Sequence, residues 1–252
     1  MEEIERLAQL IIESEKVVVF TGAGVSTESG IPDFRGPGGI WSKYDPEDFT
    51  IQRFLTSPAA RKTLWKMSSE SGLLAEAEPN PAHYAIAELH KLGKLDCVIT
   101  QNIDNLHQRA GVPEDKVFEL HGNTRWAVCL SCRRRFPMPE VLQRIKKGVE
   151  VPDCPDCQGI LKPDAVLFGE ALPQETLHEA IHRSRNCDLF VVIGSTLVVY
   201  PAAYMPTYAR EAGARLAIVN LTPTPLDYQA TVVIHGKAGE IMPKVVEKVR
   251  RS

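Results

Sequence analysis

The 252-residue sequence lacks an excess of basic charge. It contains 29 lysines and arginines and 32 aspartates and glutamates, which gives a formal net charge of −3. A global positive field that would attract nucleic acid is therefore excluded, and no direct nucleic-acid partner is expected. The N-terminal residues Met1–Arg6 lack the basic start and long apolar core of a signal peptide. We therefore expect a cytoplasmic protein that is not exported.

The sequence also lacks a clean apolar run that would predict a membrane span. Leu189 to Ala209 carries no charged residue, but Gly194, Ser195, Pro201 and Pro206 interrupt it. We interpret this stretch as a buried strand, a ligand loop and the start of a helix. No internal repeat or low-complexity linker is visible.

Short apolar runs rich in valine and isoleucine predict strands that are buried on both faces of a sheet. They are Val17–Phe20, Cys97–Thr100, Val117–Leu120, Leu189–Ile193, Leu216–Val219 and Val232–Ile234. The predicted helices are Pro81–Leu92, Gln174–Arg185, Ala202–Ala212 and Gly239–Arg250. Their alternation with the strands implies an α/β fold with a doubly wound, parallel, Rossmann-like sheet, whose ligands bind beyond the carboxyl ends of the strands.

A glycine-rich segment, GAGVSTESGIPDFRG at Gly22–Gly36, follows the first predicted strand. Its first two glycines let the backbone approach a pyrophosphate closely, and a short helix from Ser26 and Thr27 is expected to present its positive end to an anion. Thr27 stands where the ordinary dinucleotide fingerprint needs a third glycine. The segment continues into Ile31–Gly36, a polar and aromatic loop that could fold over a bound ligand.

Two CxxC knuckles can supply four thiolates to one tetrahedral Zn²⁺. Their cysteines are Cys129, Cys132, Cys154 and Cys157. Four protein sulfurs leave no open position, so the metal is expected to be structural. Two disulfides are the alternative, which the missing export signal disfavours. Cys97 and Cys187 are expected to be packing residues.

Arg133–Arg135, beside the first knuckle, raise the alternative of a zinc ribbon that binds nucleic acid. Such a charge run is more often a solvated face, and no interleaved aromatic cluster offers a base-stacking platform. We therefore disfavour that alternative.

His121 is the leading candidate for a catalytic base, because an imidazole titrates near neutral pH and this one lies at a predicted strand end before Gly122. His107 is the second candidate, although its place at a predicted helix start favours a packing or hydrogen-bonding role. Ser26 and Ser195 lie in loops, but neither has the setting of a serine nucleophile.

Three further strand ends carry polar groups, namely Thr100–His107, His121–Gly122 and Gly194–Val199. Together with Gly22–Gly36 and the paired cysteines, these segments closely resemble the sirtuins, the NAD-dependent protein lysine deacylases. The resemblance covers essentially the whole chain. It implies an NAD-binding Rossmann-like domain of residues 1–36, 79–122 and 164–252. A small domain is then made of a helical insertion at 37–78 and a zinc-ribbon insertion at 123–163. Substrate is expected to enter the cleft between the two domains.

The resemblance also implies roles for individual residues. His121, Asn102 and Asp104 are the expected catalytic residues, with His121 as the base that deprotonates a ribose hydroxyl. The residues expected to bind NAD, the co-substrate, are Gly22, Ala23, Gly24, Ser26, Thr27, Ile31, Asp33, Phe34, Arg35, Gln101, Asn102, Ile103, Asp104, His121, Gly194, Ser195, Thr196, Asn220 and Ala238.

On the substrate side, the resemblance implies two edges that receive an acylated peptide by β-augmentation. Their residues are Val166, Phe168, Gly169, Glu170, Val198 and Val199. Members of the family that prefer succinyl or malonyl groups carry a Tyr-x-x-Arg pair where this chain has Met67 and Glu70. Because Glu70 would repel an anionic acyl group, we expect acetyl or longer neutral acyl groups to be removed from lysines, with release of nicotinamide and O-acyl-ADP-ribose.

Three alternatives stay open at this point. A dehydrogenase is disfavoured by the missing third glycine and by the closed zinc site. ADP-ribosyl transfer would use the same cleft and differ only in the nucleophile that captures the ribose. A non-enzymatic reader of acyl-lysine would be excluded by NAD turnover. Acylated lysine proteins are the expected partners, and a monomer is the expected assembly state.

Overall fold

The computed structural model describes residues 1–33, 36, 39–70 and 77–252. Within them, nine strands form a six-stranded parallel sheet in the order β3-β2-β1-β7-β8-β9 and a three-stranded antiparallel sheet in the order β5-β4-β6. The strands are β1 Val17–Thr21, β2 Leu95–Thr100, β3 Val117–Glu119, β4 Gly122–Cys129, β5 Arg135–Pro137, β6 Leu161–Ala165, β7 Leu189–Ile193, β8 Arg215–Asn220 and β9 Val232–His235. The α-helices are α1 Glu2–Glu13, α2 Ile51–Thr56, α3 Pro58–Glu70, α4 Pro81–Lys91, α5 Leu106–Arg109, α6 Met138–Lys146, α7 Gln174–Arg185, α8 Met205–Glu211 and α9 Ala238–Arg250.

The large sheet confirms the predicted doubly wound α/β fold. Every residue of the central strands β1 and β7 is buried, as expected for strands covered on both faces. Val17 and Val19 belong to one core cluster with residues of α1, α4 and α9, whereas Val18 and Phe20 belong to a second with residues of α7 and α8. The alternation along β1 therefore places a helical layer on each side of the sheet.

The two predicted insertions pack against each other. Trp65 of α3 is fully buried in one cluster with Ala127 and Cys129 of β4. A second cluster joins Phe54 of α2 to Leu167, which follows β6. The division of the chain into a large and a small domain stays a prediction, with these shared clusters consistent with one small domain.

The apolar stretch at Leu189–Ala209 divides as the sequence indicates, into strand β7, a loop and helical turns. The predicted helix at Ala202–Ala212 is wrong in its first part, which is a 3-10 helix over Ala202–Tyr204. The α-helix begins only at Met205, because Pro206 has no N–H to donate and fits the first turn of a helix. In the described part of the chain, no helix has the length and apolar character needed to cross a bilayer.

Candidate active site

The carboxyl ends of the central strands bring the predicted site segments together. Thr21, at the end of β1, is in register with Thr100 of β2 on one side and with Ile193 of β7 on the other. Gly22 N–H donates to Ile193 O at 3.2 Å, and Gln101 N–H donates to Thr21 O at 2.9 Å. The loops that follow β1, β2 and β7 therefore meet at one edge of the sheet, where doubly wound folds bind their ligands.

The loops after β1 and β7 touch through backbone atoms. Gly24 N–H donates to Gly194 O at 2.8 Å. Gly194 has a φ of +64°, and a Cβ atom there would lie 2.2 Å from Val25 N. Both the backbone conformation and the space available therefore require glycine at this position.

We expect Gly194→Ala to lower the free energy of unfolding by roughly 3–5 kcal/mol, because the two loops would be forced apart. Urea unfolding followed by circular dichroism measures this change. Gly213→Ala is the matched control, since Gly213 also has a positive φ but no heavy atom within 4 Å of its Cβ position. It should cost only about 1 kcal/mol. Equal effects of the two substitutions would show that the contact between the loops is unimportant.

The helix after the glycine-rich turn starts earlier than predicted. It is a 3-10 helix over Ala23–Ser29, because the tight turn already closes backbone bonds from its first residue. The Thr27 hydroxyl donates to Gly24 O at 3.0 Å, and the Ser26 hydroxyl is buried. Within the described residues, Ala23 N–H donates to no protein oxygen. It is the backbone donor of this turn that an anionic ligand could use.

His121 lies between β3 and β4 with its ring half-buried. Its Nδ1 is 2.9 Å from Gln101 O. A carbonyl oxygen only accepts, so Nδ1 carries the hydrogen and Nε2 keeps the lone pair of the neutral ring. Burial lowers the pKa of His121, although the bond to Gln101 opposes the shift. The ring is therefore neutral near pH 7, with Nε2 as its proton acceptor.

Gln101 and Asn102 connect the strand ends through their side chains. The Ser195 hydroxyl donates to Gln101 Oε1 at 2.7 Å. The Asn102 amide donates to Gly22 O at 3.2 Å and to Ser26 Oγ at 3.1 Å. Both amide hydrogens of Asn102 thus point into the protein, and its Oδ1 accepts no hydrogen bond from the described residues. Asn102 is therefore arranged to accept a hydrogen bond from a hydroxyl group of a ligand.

A buried polar cluster lies behind this loop and includes a histidine that was not predicted. Ser26 donates to Asp104 Oδ2 at 2.7 Å, and Asp104 Oδ1 accepts from Leu106 N–H at 3.0 Å. His83, on α4, is fully buried with its Nε2 3.4 Å from Ser26 Oγ. Its Nδ1 accepts from Asn80 N–H at the start of the helix. The helix start at Asn80-Pro81 can be read from the sequence, but the contact with Ser26 spans 57 residues and leaves no local signal.

Acid should destabilise the protein through two buried histidines. Burial lowers the pKa of His83 to about 3 and that of His107 to about 4. Because the unfolded state binds more protons below its pKa of about 6.5, the stability is fully present above that pH and is lost as the pH falls towards the folded values. Each histidine should reduce the free energy of unfolding by about 1–2 kcal/mol between pH 6.5 and 5.

Urea midpoints measured at several pH values test this prediction. The slope of the free energy of unfolding against pH measures how many protons the chain takes up when it unfolds. In His107→Gln this number should fall by about one, whereas replacing the exposed His178 should leave the slope unchanged. An unaltered slope in His107→Gln would contradict the assignment.

The other residues predicted to bind the co-substrate surround these loops. Ile31 and Asp33 are partly buried, and Asp33 Oδ1 accepts from Gly36 N–H at 2.6 Å. Phe34 and Arg35 lie outside the described residues, as does the side chain of Glu70. At the far side of the sheet, Asn220 ends β8 and Ala238 begins α9. The carbonyl oxygen of Ile103 accepts from Thr124 N–H of β4 at 3.0 Å, and Thr196 is exposed.

The two predicted substrate edges differ in how much of their backbone is already hydrogen-bonded within the protein. Phe168 is 40% exposed and Val198 is 47% exposed. The backbone of Phe168 is already used, since its N–H donates to Phe49 O at 3.0 Å and its carbonyl accepts from Ile51 N–H at 2.9 Å. Gly169 and Val198 have backbone N–H groups that donate to no oxygen among the described residues. These two amides, rather than Phe168, are therefore available to an added strand.

Lys162, which was not predicted, fixes the turn that carries this edge. Its side chain is 3% exposed, and its Nζ donates to Ala165 O at 2.6 Å and lies 3.1 Å from Glu170 Oε2. The same Glu170 oxygen accepts from Leu167 N–H at 2.9 Å. The Glu170 carboxylate is therefore held within the protein, bordering a cleft of about 450 Å³ that also includes Gly122.

The four knuckle cysteines lie together at one end of the small sheet. Their sulfur atoms are all within 4.8 Å of one another, with Cys129 and Cys157 Sγ 3.5 Å apart and Cys132 and Cys154 Sγ 3.8 Å apart. A disulfide needs about 2.05 Å, whereas tetrahedral Zn–S bonds of about 2.3 Å place sulfurs about 3.8 Å apart. The donor set and spacing fit one Zn²⁺, held by thiolates alone and hence structural.

The fold and site define a nucleotide-binding α/β protein with an inserted zinc module. Residues 22–201 match the sequence profile described as the Sir2 family, and the chain belongs to that family. An NAD-dependent protein deacylase 2 of Archaeoglobus fulgidus is 51% identical over 252 residues, covering 99% of this chain and 97% of that protein.

Two solved structures are similar over nearly the whole chain. A Sir2 structure with a deacetylated p53 peptide and 3′-O-acetyl-ADP-ribose superposes with a TM-score of 0.91 at 41% identity, covering 97% of this chain and 98% of that one. A Sir2 protein bound to a myristoylated histone peptide has a TM-score of 0.81 at 44% identity, covering 99% of this chain and 97% of that one.

Proposed function

We propose that this protein removes acetyl or longer neutral acyl groups from protein lysines, with NAD as co-substrate and with nicotinamide and O-acyl-ADP-ribose as products. The observation that carries the proposal is His121, a neutral histidine with one free nitrogen at the ligand edge of a Sir2-family sheet. Acylated lysine proteins or peptides are its partners. The related NAD-dependent protein deacylase 2 of Archaeoglobus fulgidus supports the same reaction.

The co-substrate would supply a ribose carbon that exchanges nicotinamide for the acyl oxygen, and a ribose hydroxyl that attacks the acyl carbon. One water molecule is then consumed as the bond from the acyl carbon to the lysine nitrogen breaks, so that free lysine leaves and the acyl group stays on the ribose. His121 Nε2 takes the proton of that hydroxyl, and the Gln101 carbonyl holds the ring in the tautomer that can do so. Asn102 Oδ1 accepts a hydrogen bond from the ribose. These two contacts orient the ribose before any proton moves.

Asp104 has a different role in this scheme from the other two proposed catalytic residues. Its carboxylate oxygens are occupied by Ser26 and by Leu106 N–H, so its side chain shapes the loop. Its proposed role is to help hold the nicotinamide, together with Ile31 and Ile103. Ala23 N–H binds the pyrophosphate. Gly194, Ser195, Asn220 and Ala238 border the adenosine half.

Neutral acyl groups are the proposed substrates because the chain has Met67 and Glu70 where a Tyr-x-x-Arg pair would bind an acyl carboxylate. The related structure with a myristoylated peptide supports long as well as short chains. We also propose a monomeric protein in the cytoplasm, on the basis of its sequence.

Incubation of the zinc-loaded protein with NAD and acetyl-, myristoyl- or succinyl-lysine peptides of one sequence tests the proposal. Mass spectrometry should detect nicotinamide and O-acyl-ADP-ribose with the two neutral peptides, and at least about 10-fold less product with the succinyl peptide. ADP-ribose attached to protein, formed without any acyl-ADP-ribose, would replace deacylation with ADP-ribosyl transfer. Binding of NAD and peptide without turnover would indicate a reader.

A further inference from the structure

A line of three buried polar side chains runs beneath the loop that carries Asn102. His107 Nε2 lies 2.8 Å from Thr21 Oγ1, and the Thr21 hydroxyl donates to Thr100 Oγ1 at 2.8 Å. Thr100 Oγ1 also accepts from Asn102 N–H at 3.0 Å. The three side chains are 0–2% exposed. The line therefore connects α5 to the ends of β1 and β2 without contact with solvent.

The direction of these hydrogen bonds can be assigned. Thr21 gives its single hydroxyl hydrogen to Thr100, so its oxygen accepts from His107 and Nε2 carries the hydrogen. Nδ1 of His107 keeps a lone pair and finds no partner in the described part of the chain. A second hydrogen on Nδ1 would be buried without an acceptor, consistent with the low pKa of about 4 that burial gives this ring. His107 is thus a neutral donor near pH 7.

The other end of the line meets the proposed active site. Asn102 is held at its backbone by Thr100 and at its amide by Gly22 O and Ser26 Oγ. The preceding residue, Gln101, supplies the carbonyl that binds His121 Nδ1. A displacement of the backbone here would move the free oxygen of Asn102 and the carbonyl that orients His121 together.

We propose that His107 is a positioning residue, which acts through the Thr21 and Thr100 hydroxyls to fix the backbone at Asn102. It touches neither substrate nor co-substrate, because it is buried behind the sheet edge. A role in packing alone would require only the volume of these side chains. The inference rests on the proposed function, since its readout is deacylation.

Two substitutions at Thr21 separate positioning from packing. Thr21→Val keeps the shape and removes the hydroxyl, whereas Thr21→Ser keeps the hydroxyl and removes a methyl group. We expect the valine variant to lose about 10-fold in kcat with KM for the acetyl peptide changed less than about 2-fold, and the serine variant to stay within about 3-fold of wild type. Thr56→Val is the matched control, since the Thr56 hydroxyl bonds to Gln52 O in an exposed helix of the small domain.

Coupling between the two hydroxyls gives a second measure. Thr100→Val should lose about as much kcat as Thr21→Val, and the double variant should be no worse than either single one, because one line is broken in each case. If thermal melts show that these variants do not fold, two variants at His107 replace them. His107→Gln retains a hydrogen-bond donor, whereas His107→Leu does not. The kcat of the glutamine variant should be at least about 5-fold higher than that of the leucine variant.

Valine variants as active as wild type, or a Thr21→Ser variant less active than Thr21→Val, would overturn the inference and leave packing as the role of the three residues. An inactive wild-type protein would instead overturn the proposed function. The two failures are therefore distinguishable.

Discussion

Replacing His121 with alanine is expected to lower kcat/KM for peptide deacylation by about 10²–10⁴-fold, which is the range for loss of a general base. The expected loss follows because the hydrogen bond from Nδ1 to Gln101 O leaves Nε2 as the proton acceptor, and alanine has no atom to replace it. NAD should still bind, since the side chains that join the strand ends do not depend on this ring. Steady-state kinetics with an acetyl-lysine peptide and calorimetric titration with NAD measure the two effects.

The pH profile provides an additional check on His121. Because burial lowers its pKa, the wild-type kcat/KM should lose activity only below the usual histidine range, as the pH falls through the lowered value and Nε2 becomes protonated. His178→Ala is the control, as His178 is an exposed histidine on α7. The base would be another residue if His121→Ala kept more than a tenth of the wild-type kcat/KM and lost activity at the same acidic pH as the wild type.

Removing the zinc should have the largest effect on stability. Cys154 is fully buried within the cluster that also holds Trp65 and Ala127. We expect Cys154→Ser to lower the free energy of unfolding by about 5 kcal/mol, corresponding to roughly 10 °C in Tm for a chain of this size. Wild-type protein treated with a chelator should behave in the same way, and elemental analysis should find one zinc per chain before treatment.

Cys187→Ser is the matched control for the zinc prediction. Cys187 lies outside the cluster, and its Sγ donates to Ser184 O at 3.2 Å, a bond that serine can replace. Its Tm should stay within about 2 °C of wild type. A Cys154→Ser variant that has the same Tm as the wild type and retains its metal would show that the four thiolates are not the zinc ligands.

Much of the fold could be predicted because its signals are local. The predicted strands that correspond to β1, β7 and β8 are short, continuous apolar runs. Such runs are typical of strands that a parallel sheet buries on both faces. The polar segments that follow these strands necessarily meet, because parallel strands end at a common edge. The cysteine knuckles are equally local, and their spacing is that of a metal site.

The contacts that complete the site could not be predicted because they join distant parts of the chain. The pairing of His83 with Ser26 and that of Lys162 with Glu170 depend on how helices and turns settle against the sheet. The backbone hydrogen bonds of Phe168 to Phe49 and Ile51 also join distant parts of the chain, so the sequence could not predict them. The hydrogen bond from Gly24 N–H to Gly194 O likewise joins two loops that lie far apart along the chain.

The burial of Lys162 has a practical consequence for a protein whose proposed substrates are modified lysines. Its amine is enclosed by Ala165 O, Pro163 O and the Glu170 carboxylate, so acetic anhydride should label it far more slowly than the exposed lysines of the same molecule. Lys162 is therefore an internal probe of the proposed substrate edge, since its amine can be labelled only when the hydrogen bonds of this turn are broken.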